Sequence, residues 1–219
     1  MKKLFTVLAM ALVTTSVAAQ IKVGVTLAAT GPAASLGIPE KNVFALLPKT
    51  LAGMAVEVII LDDATDPSGA VKNTHKLISE SNVDVVIGSS ITPSTLAMVD
   101  VVAEKQTPLI ALAASSRIVE PMDAKRAWVF KIPQNDSLVA SGIVEHMVKT
   151  GIKTVAYIGF SDAYGEGWHA EFSKLAQAAN IKLIAKEVDS RADTSVTAQA
   201  LNLVSAHPEA ILIGAAGTP

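Results

Sequence analysis

Short apolar runs alternate with longer amphipathic stretches along most of this chain. The apolar run Val85–Ile87 ends at Gly88 and is followed by a polar loop, a helical stretch and a second apolar run, Leu109–Leu112. This order predicts two parallel strands joined by a helix. Both predicted strands end in loops of small hydroxyl residues, and ligands of open α/β sheets bind outside the carboxyl ends of the strands. We therefore interpret the segment as a binding rim rather than a catalytic centre.

The same alternation extends on both sides of this segment. Before it, we predict strands at Ile21–Leu27 and Val56–Leu61, a helix over Glu40–Leu47, and a second helix capped by Ser68. Alternating elements of this kind predict an α/β fold with parallel sheets covered by helices on both faces. Later strands are predicted at Trp128–Ile132, Thr154–Gly159, Ile181–Val188 and Ala210–Gly214.

A charged, irregular segment, Arg117–Arg126, interrupts the alternation and marks a predicted crossover between two domains. We place the first lobe at residues 20–132 and the second at 133–219. The helix that opens the second lobe is expected to be capped by Asp136 or Ser137. A loop is expected at Phe160–Gly167, and a later helix is expected to be capped by Asp193 or Thr194. Because the chain ends in a strand-to-helix loop, we expect the second lobe to be incomplete.

The first 19 residues have the pattern of a secretory signal peptide. Lys2 and Lys3 precede a short apolar segment, Leu4–Val13, and small residues follow up to a predicted cleavage site after Ala19. The alternative, an N-terminal membrane anchor, is disfavoured because the apolar segment is too short to span a bilayer. No cysteine follows to carry a lipid. The mature chain is therefore predicted to be exported.

Composition excludes several classes of function. The chain has 18 basic and 20 acidic residues, and two lysines belong to the signal segment, so the mature chain has a net charge of −4. It has no basic excess for binding nucleic acid. The complete absence of cysteine excludes disulfides and thiolate metal sites.

No motif points to catalysis, a metal or a cofactor. The small-residue loop Thr30–Gly37 matches neither nucleotide-binding fingerprint, and Gly88-Ser89-Ser90 is not a nucleophile elbow. Asp62 and Asp63 are as well suited to fixing a loop as to acid–base chemistry. The four histidines have no ligand spacing to one another. Tyr164 has two open interpretations, packing of its loop or closure of a phenol over a ligand.

An ordered set of motifs resembles a known family. IKVGVTLAATGPAASLG is followed by ILDDATDP, VVIGSSITPST, LIALAASS, VFKIPQNDS and FSDAYGEGW. This set is similar to the periplasmic leucine/isoleucine/valine-binding proteins, the type I solute receptors of ABC importers. The resemblance implies two doubly wound lobes that close around a ligand at a hinge. It also implies a periplasmic, monomeric receptor for a small-molecule carboxylate, with a membrane permease as partner, no nucleic acid and no cofactor.

The resemblance also implies a binding site for this chain. Thr92 occupies the family's hydroxyl position after the third strand, and Ala113 and Ser115 occupy the backbone and hydroxyl positions after the fourth. Tyr164 occupies the second-lobe tyrosine position near a ligand ammonium. Leu36 and Ala216 stand where leucine-binding members can have tyrosines. We therefore predict Thr92, Ala113, Ser115, Tyr164, Leu36 and Ala216 as ligand-binding residues.

Three functions remain open on this evidence. The first is an extracytoplasmic receptor of an ABC importer that binds a branched-chain or other hydrophobic amino acid, with an aromatic carboxylate as the alternative ligand because both tyrosines are replaced. The second is an exported α/β hydrolase, although no nucleophile–base pair is evident. The third is a sensor domain that signals lobe closure to a partner. We expect the protein not to be an enzyme.

Overall fold

The computed structural model describes residues 20–217 of the chain. Within them, six α-helices accompany nine strands that form two separate sheets. The elements of the six-stranded sheet are called the first lobe, and those of the three-stranded sheet the second. The predicted signal peptide lies outside the described residues, and the boundary at 132/133 stays a prediction.

The first lobe is built around a central parallel strand. In space the strand order is β2-β3-β1-β4-β5-β6, and all neighbours are parallel except β2 and β3. Its strands are β1 (Gln20–Leu27), β2 (Thr50–Leu51), β3 (Met54–Asp62), β4 (Val85–Gly88), β5 (Leu109–Ala111) and β6 (Val129–Lys131). Its helices are α1 (Ala34–Phe44), α2 (Pro67–Ser79) and α3 (Thr92–Glu104).

The second lobe repeats this plan in shorter form. Its spatial order is β8-β7-β9, and both strand pairs are parallel. Its strands are β7 (Thr154–Phe160), β8 (Lys182–Asp189) and β9 (Ala210–Gly214), and its helices are α4 (Asp136–Lys149), α5 (Ala163–Ala178) and α6 (Thr197–Ser205). The predicted α/β class with parallel sheets is confirmed.

Each lobe has its own apolar core, formed where amphipathic helices cover the sheet. In the first lobe, Leu77 of α2 and Met98 of α3 are fully buried in one cluster with β4 and β5. In the second, Phe172 of α5 is fully buried against Val155 of β7 and Met147 of α4. Burial of such side chains, at roughly 1.5–3 kcal/mol each, is what holds helices of this length in place.

Both sheets contain a topological switch point. β1 lies between β3 and β4, and β7 lies between β8 and β9, so successive connections leave each sheet in opposite directions. The loops that follow β1 and β4, and those that follow β7 and β9, therefore diverge and leave a crevice at the carboxyl ends of the strands.

Several element boundaries differ from those predicted. α1 begins at Ala34, and Pro39 lies inside the helix rather than before it. Because proline carries no N–H, the helix forgoes one hydrogen bond there. The short strand β2 was not predicted, and it pairs with β3 through a turn in which Gly53 has a φ of 79°.

The predicted helix caps were wrong in three places. Asp66, not Ser68, caps α2, because its side chain accepts hydrogen bonds from the N–H groups of Ser68 and Gly69. Asn135 precedes α4, where Asp136 is already the first helical residue. Val196, rather than Asp193 or Thr194, precedes α6. The Asp193 side chain instead accepts a hydrogen bond from the Ser190 N–H in the preceding turn.

Candidate functional site

A cavity of about 250 Å³ lies between the two lobes. Its walls are formed by the segments that follow β1, β4, β5 and β6 in the first lobe and β7, β8 and β9 in the second. This is the position at which open α/β sheets bind ligands. The lining residues are Leu36, Glu40, Ser90, Ile91, Thr92, Leu112, Ala113, Ala114, Pro133, Tyr164, Arg191 and Ala216.

The loop between β4 and α3 is held rigid by Thr95. The Thr95 hydroxyl accepts a hydrogen bond from the Ser89 N–H at 3.1 Å and lies 2.9 Å from the Ile91 carbonyl, to which it donates. Thr95 is fully buried. These bonds fix the backbone that carries Thr92 into the first turn of α3.

Two buried hydroxyls at this site have no hydrogen-bond partner. Thr92 and Ser115 are each 1% exposed, and neither side-chain oxygen is bonded within the part of the chain that the structure describes. Thr92 lines the cavity, and Ser115 directly follows the lining residue Ala114. A buried hydroxyl left without a partner costs about 1–3 kcal/mol. Thr92 lies in the first turn of α3, and the N-terminus of a helix suits an anionic group.

Glu40 contributes a carboxyl group to the same cavity. Its Oε2 accepts a hydrogen bond from the Ser90 hydroxyl at 2.5 Å, and that hydroxyl is itself held by the Ala28 N–H at 3.1 Å. Burial raises the pKa of the Glu40 carboxyl, and the nearby Asp63 carboxylate raises it further, although the Ser90 bond opposes both effects. The cavity thus contains an acid whose charged form is poorly stabilised.

The second-lobe wall is organised by Asp162, the N-cap of α5. One carboxylate oxygen accepts hydrogen bonds from the N–H groups of Tyr164 and Gly165, and the other accepts from Arg191 Nε at 2.6 Å. The Arg191 guanidinium lies 4.1 Å from the centroid of the Phe160 ring and 5.7 Å from that of Tyr164. Arg191 and Tyr164 therefore form one packed unit facing the first lobe.

Tyr164 lies in the first turn of α5, although its segment was predicted as a loop. Gly165 and Gly167 made the segment resemble a loop, yet both are buried in the helix. Gly165 lies against the backbone of Phe160, and Gly167 lies against the side chains of Ser115 and Asp136. Burial raises the pKa of the Tyr164 phenol, so the group is a neutral hydrogen-bonding phenol at physiological pH. The side chain both lines the cavity and packs against the rings of Phe160 and Trp168, so its two predicted roles stay open.

The six predicted site residues are gathered around one cavity. Five of them line it, namely Leu36, Thr92, Ala113, Tyr164 and Ala216, and Ser115 lies beside it. Their role in binding stays a prediction. Glu40 and Arg191 line the same cavity but were not predicted. For Glu40 a signal existed, since it follows Leu36 by four residues and so lies on the same face of α1.

Nothing at the cavity resembles a metal centre. Across residues 20–217, no three His, Cys, Asp or Glu side chains come together in a group that could hold a metal ion. The helices of the same region are all too short or too polar to cross a membrane. The cavity offers hydrogen-bonding groups, the partly buried carboxyl group of Glu40, and the guanidinium of Arg191, which is paired with Asp162.

Comparison with known proteins identifies the family. The model of the periplasmic binding protein family matches residues 20–219, which is most of the chain. The chain belongs to the periplasmic binding protein family. Its fold is the type I fold of these proteins, with parallel α/β lobes, as the motifs indicated. No curated protein is significantly similar to this chain in sequence.

This chain aligns with only part of the length of similar solved structures. An extracellular ligand-binding receptor from Rhodopseudomonas palustris HaA2 is 46% identical, with a TM-score of 0.90 over 92% of this chain and 56% of the receptor. An ABC-transporter solute-binding protein from R. palustris BisB5, crystallised with 3,4-dihydroxybenzoic acid, is 26% identical, with a TM-score of 0.81 over 89% of this chain and 54% of that protein.

A leucine-binding protein from Thermotoga maritima shares the fold at 20% identity, with a TM-score of 0.79 over 88% of this chain and 55% of its own. The family member described here thus spans a little over half the length of these relatives.

Proposed function

We propose that this chain belongs to an extracytoplasmic receptor of an ABC importer that binds a small carboxylate between its lobes and delivers it to a membrane permease. The observation that carries the proposal is the pair of buried, unpartnered hydroxyls of Thr92 and Ser115 at the interlobe cavity. Hydrogen bonds from neutral donors to a carboxylate are charge-assisted and strong, so no arginine or lysine is needed to hold it. The receptor would act as a periplasmic monomer without a cofactor or catalytic residue.

Among carboxylates, an aromatic acid fits the cavity best. Leu36, Leu112 and Pro133 give it apolar walls, and about 250 Å³ suits a ligand with a single ring. Leu36 and Ala216 replace tyrosines that leucine-binding relatives can use, which removes a phenol from the ammonium position and leaves room for a flat group. The R. palustris relative crystallised with 3,4-dihydroxybenzoic acid supports the same class.

A branched-chain or other hydrophobic amino acid is the second candidate. Glu40 favours it, because an unpaired carboxylate in a cavity attracts an ammonium group. Arg191 argues against it, since its guanidinium lines the same cavity. A hydrolase is not favoured, because Ser90, the cavity hydroxyl that donates to the Glu40 carboxylate, is itself fixed by the Ala28 N–H, and no histidine is among the lining residues.

The proposal is tested by calorimetric titration of the complete mature protein with benzoate, hydroxybenzoates, phenylalanine and leucine. We expect an aromatic acid to bind, and Thr92→Val and Ser115→Ala each to weaken it about 10- to 100-fold, as expected for loss of a hydrogen bond to a charged group. Neither variant should unfold, because neither hydroxyl has a hydrogen-bond partner within residues 20–217.

Ser94→Ala is the matched control. Ser94 is also buried at the start of α3 and also lacks a partner within residues 20–217, but unlike Thr92 it does not line the cavity, so it is the control for Thr92→Val. Its removal should leave the affinity unchanged. Absence of binding by every carboxylate would overturn the proposed function, and equal effects of Thr92→Val and Ser94→Ala would overturn the assignment of the site.

A further inference from the structure

Glu40 is the one acidic side chain among the residues that line the cavity, and it lacks a cationic partner. Within residues 20–217, no lysine, arginine or histidine forms an ion pair with it. The guanidinium of Arg191 lines the same cavity but is engaged by Asp162. A partly buried carboxylate without a cation needs hydrogen-bond donors to offset the loss of hydration.

Only one of the two Glu40 oxygens accepts a hydrogen bond from residues 20–217. The Ser90 hydroxyl donates to Oε2 and is itself oriented by the Ala28 N–H, so the carboxyl group is held in one place. The other oxygen, Oε1, accepts no hydrogen bond within the described region, and Glu40 is only half-buried where it lines the cavity. This oxygen can therefore accept a hydrogen bond from a donor group of a ligand in the cavity.

The charges of the cavity decide what kind of donor fits. A ligand carboxylate placed against Glu40 would meet a like charge, so it is directed towards Thr92 and Ser115 instead. An ammonium group would satisfy Glu40 but would also meet the Arg191 guanidinium on the opposite lobe. A neutral hydroxyl donates to Glu40 without that repulsion.

We propose that Glu40 is a specificity-determining residue whose Oε1 accepts a hydrogen bond from a ring hydroxyl of the ligand, so that the receptor prefers hydroxylated aromatic carboxylates to unsubstituted ones. This inference rests on the proposed function and narrows its ligand class. The apolar wall residue Leu36 lies one helical turn before Glu40 on α1. Hence the same helix face contacts the ring with Leu36 and its substituent with Glu40.

The test is a calorimetric comparison of the complete mature protein and its Glu40→Met variant, which keeps the side-chain length but removes the acceptor. The probes are benzoate, 3-hydroxybenzoate, 4-hydroxybenzoate, 3,4-dihydroxybenzoate and leucine. We expect at least one hydroxybenzoate to bind the wild type about tenfold or more tightly than benzoate. In Glu40→Met that ratio should fall to about one, with the benzoate affinity held within about threefold.

Two further variants keep the result interpretable. Glu145→Gln removes an exposed carboxylate on α4 that is paired with Lys149, and it should leave every affinity unchanged. Glu40→Gln keeps the shape and the Ser90 bond but removes the charge, so it should lower the preference for the hydroxybenzoate over benzoate at least threefold. It serves as the test variant if Glu40→Met does not fold.

The outcomes separate this inference from the proposed function. Binding of benzoate with no preference for any hydroxybenzoate, or a preference that survives in Glu40→Met, overturns the role of Glu40 alone. Binding of leucine that is lost in Glu40→Met shows that the donor is an ammonium group and overturns the hydroxyl assignment. No binding by any of the acids overturns the proposed function itself.

Discussion

Asp162 and Arg191 join the start of α5 to the segment after β8 through a 2.6 Å hydrogen bond from Arg191 Nε. Their side chains are only 22% and 12% exposed, respectively, so this ion pair is shielded from water. The same carboxylate caps α5, which presents Tyr164 to the cavity. One aspartate thus positions two of the second-lobe side chains that line the cavity, Tyr164 and Arg191.

Asp162→Ala should therefore cost more than the loss of a helix cap. We expect about 2–4 kcal/mol of the free energy of unfolding to be lost, because a buried guanidinium is left unpaired as well as two N–H groups. Urea denaturation of the complete mature protein measures it. Asp66→Ala is the control, since Asp66 caps α2 in the same way without an arginine, and it should cost about 1 kcal/mol. Equal losses would mean that Arg191 contributes nothing.

Gly165 permits a close approach between α5 and the end of β7. A Cβ built at this position would lie 1.9 Å from the Phe160 carbonyl oxygen, which is backbone and cannot move aside. Gly165→Ala should destabilise the protein by about 3 kcal/mol or prevent folding, in the range of severe overpacking.

Gly142 is the matched position for this substitution. It lies within α4, and a Cβ there would have no atom within 4 Å. Gly142→Ala should stabilise the protein by about 0.5–1 kcal/mol, because alanine loses less conformational entropy in a helix. Thermal unfolding of the two variants gives the comparison, and a stable Gly165→Ala would contradict the packing at β7.

The Tyr157 side chain occupies a space between two glycines on adjacent strands. Its hydroxyl donates to the Gly165 carbonyl at 2.7 Å, and Cβ atoms at Gly159 or Gly214 would each lie 2.2 Å from that hydroxyl. Tyr157→Phe should cost about 1–2 kcal/mol through the lost hydrogen bond. Gly214→Ala should lower the free energy of unfolding by more than Tyr157→Phe does. In the Tyr157→Phe background the same substitution should cost less, because the clashing hydroxyl oxygen is gone. Additive losses in a double-mutant cycle would contradict this contact.

Glu40 should make stability depend on pH in a defined direction. Since burial raises the pKa of its carboxyl above the usual value of 4.5, the folded state favours the protonated form. The stability that protonation contributes is complete below pH 4.5 and is lost as pH rises through the higher folded pKa. Glu40→Gln should therefore melt a few degrees above wild type at neutral pH, with the difference vanishing below pH 4.5. A difference that is constant with pH would contradict the raised pKa.

The strands and the site loops were predictable because their signals are local. Apolar runs such as Val85–Ile87, bounded by glycine and polar residues, are typical of strands in α/β proteins. The hydroxyl-rich segments after them contain Thr92, which lines the cavity, and Ser115, which lies beside it. Both signals span only a few residues. They survive without any knowledge of the tertiary contacts.

Glu40 and Arg191 were missed because their environment is made by distant residues. A glutamate in a helix and an arginine in a polar connection are typical of solvent-exposed surface. Arg191 meets its partner Asp162 across 29 residues, and Glu40 meets Ser90 across 50. The start of α5 at Ala163 was missed for a related reason. Its glycines are typical of a loop, and the close packing of Gly165 against the Phe160 backbone cannot be recognised from the sequence.

All six residues first predicted to meet the ligand lie outside the sheets, in connecting segments or the opening turns of helices. The apolar clusters that hold each lobe together are formed by strands and the opposite faces of those helices. Substitutions in these segments can therefore reshape the cavity while leaving both apolar cores intact. Such a scaffold can diversify in evolution by exchanging a handful of side chains outside its sheets.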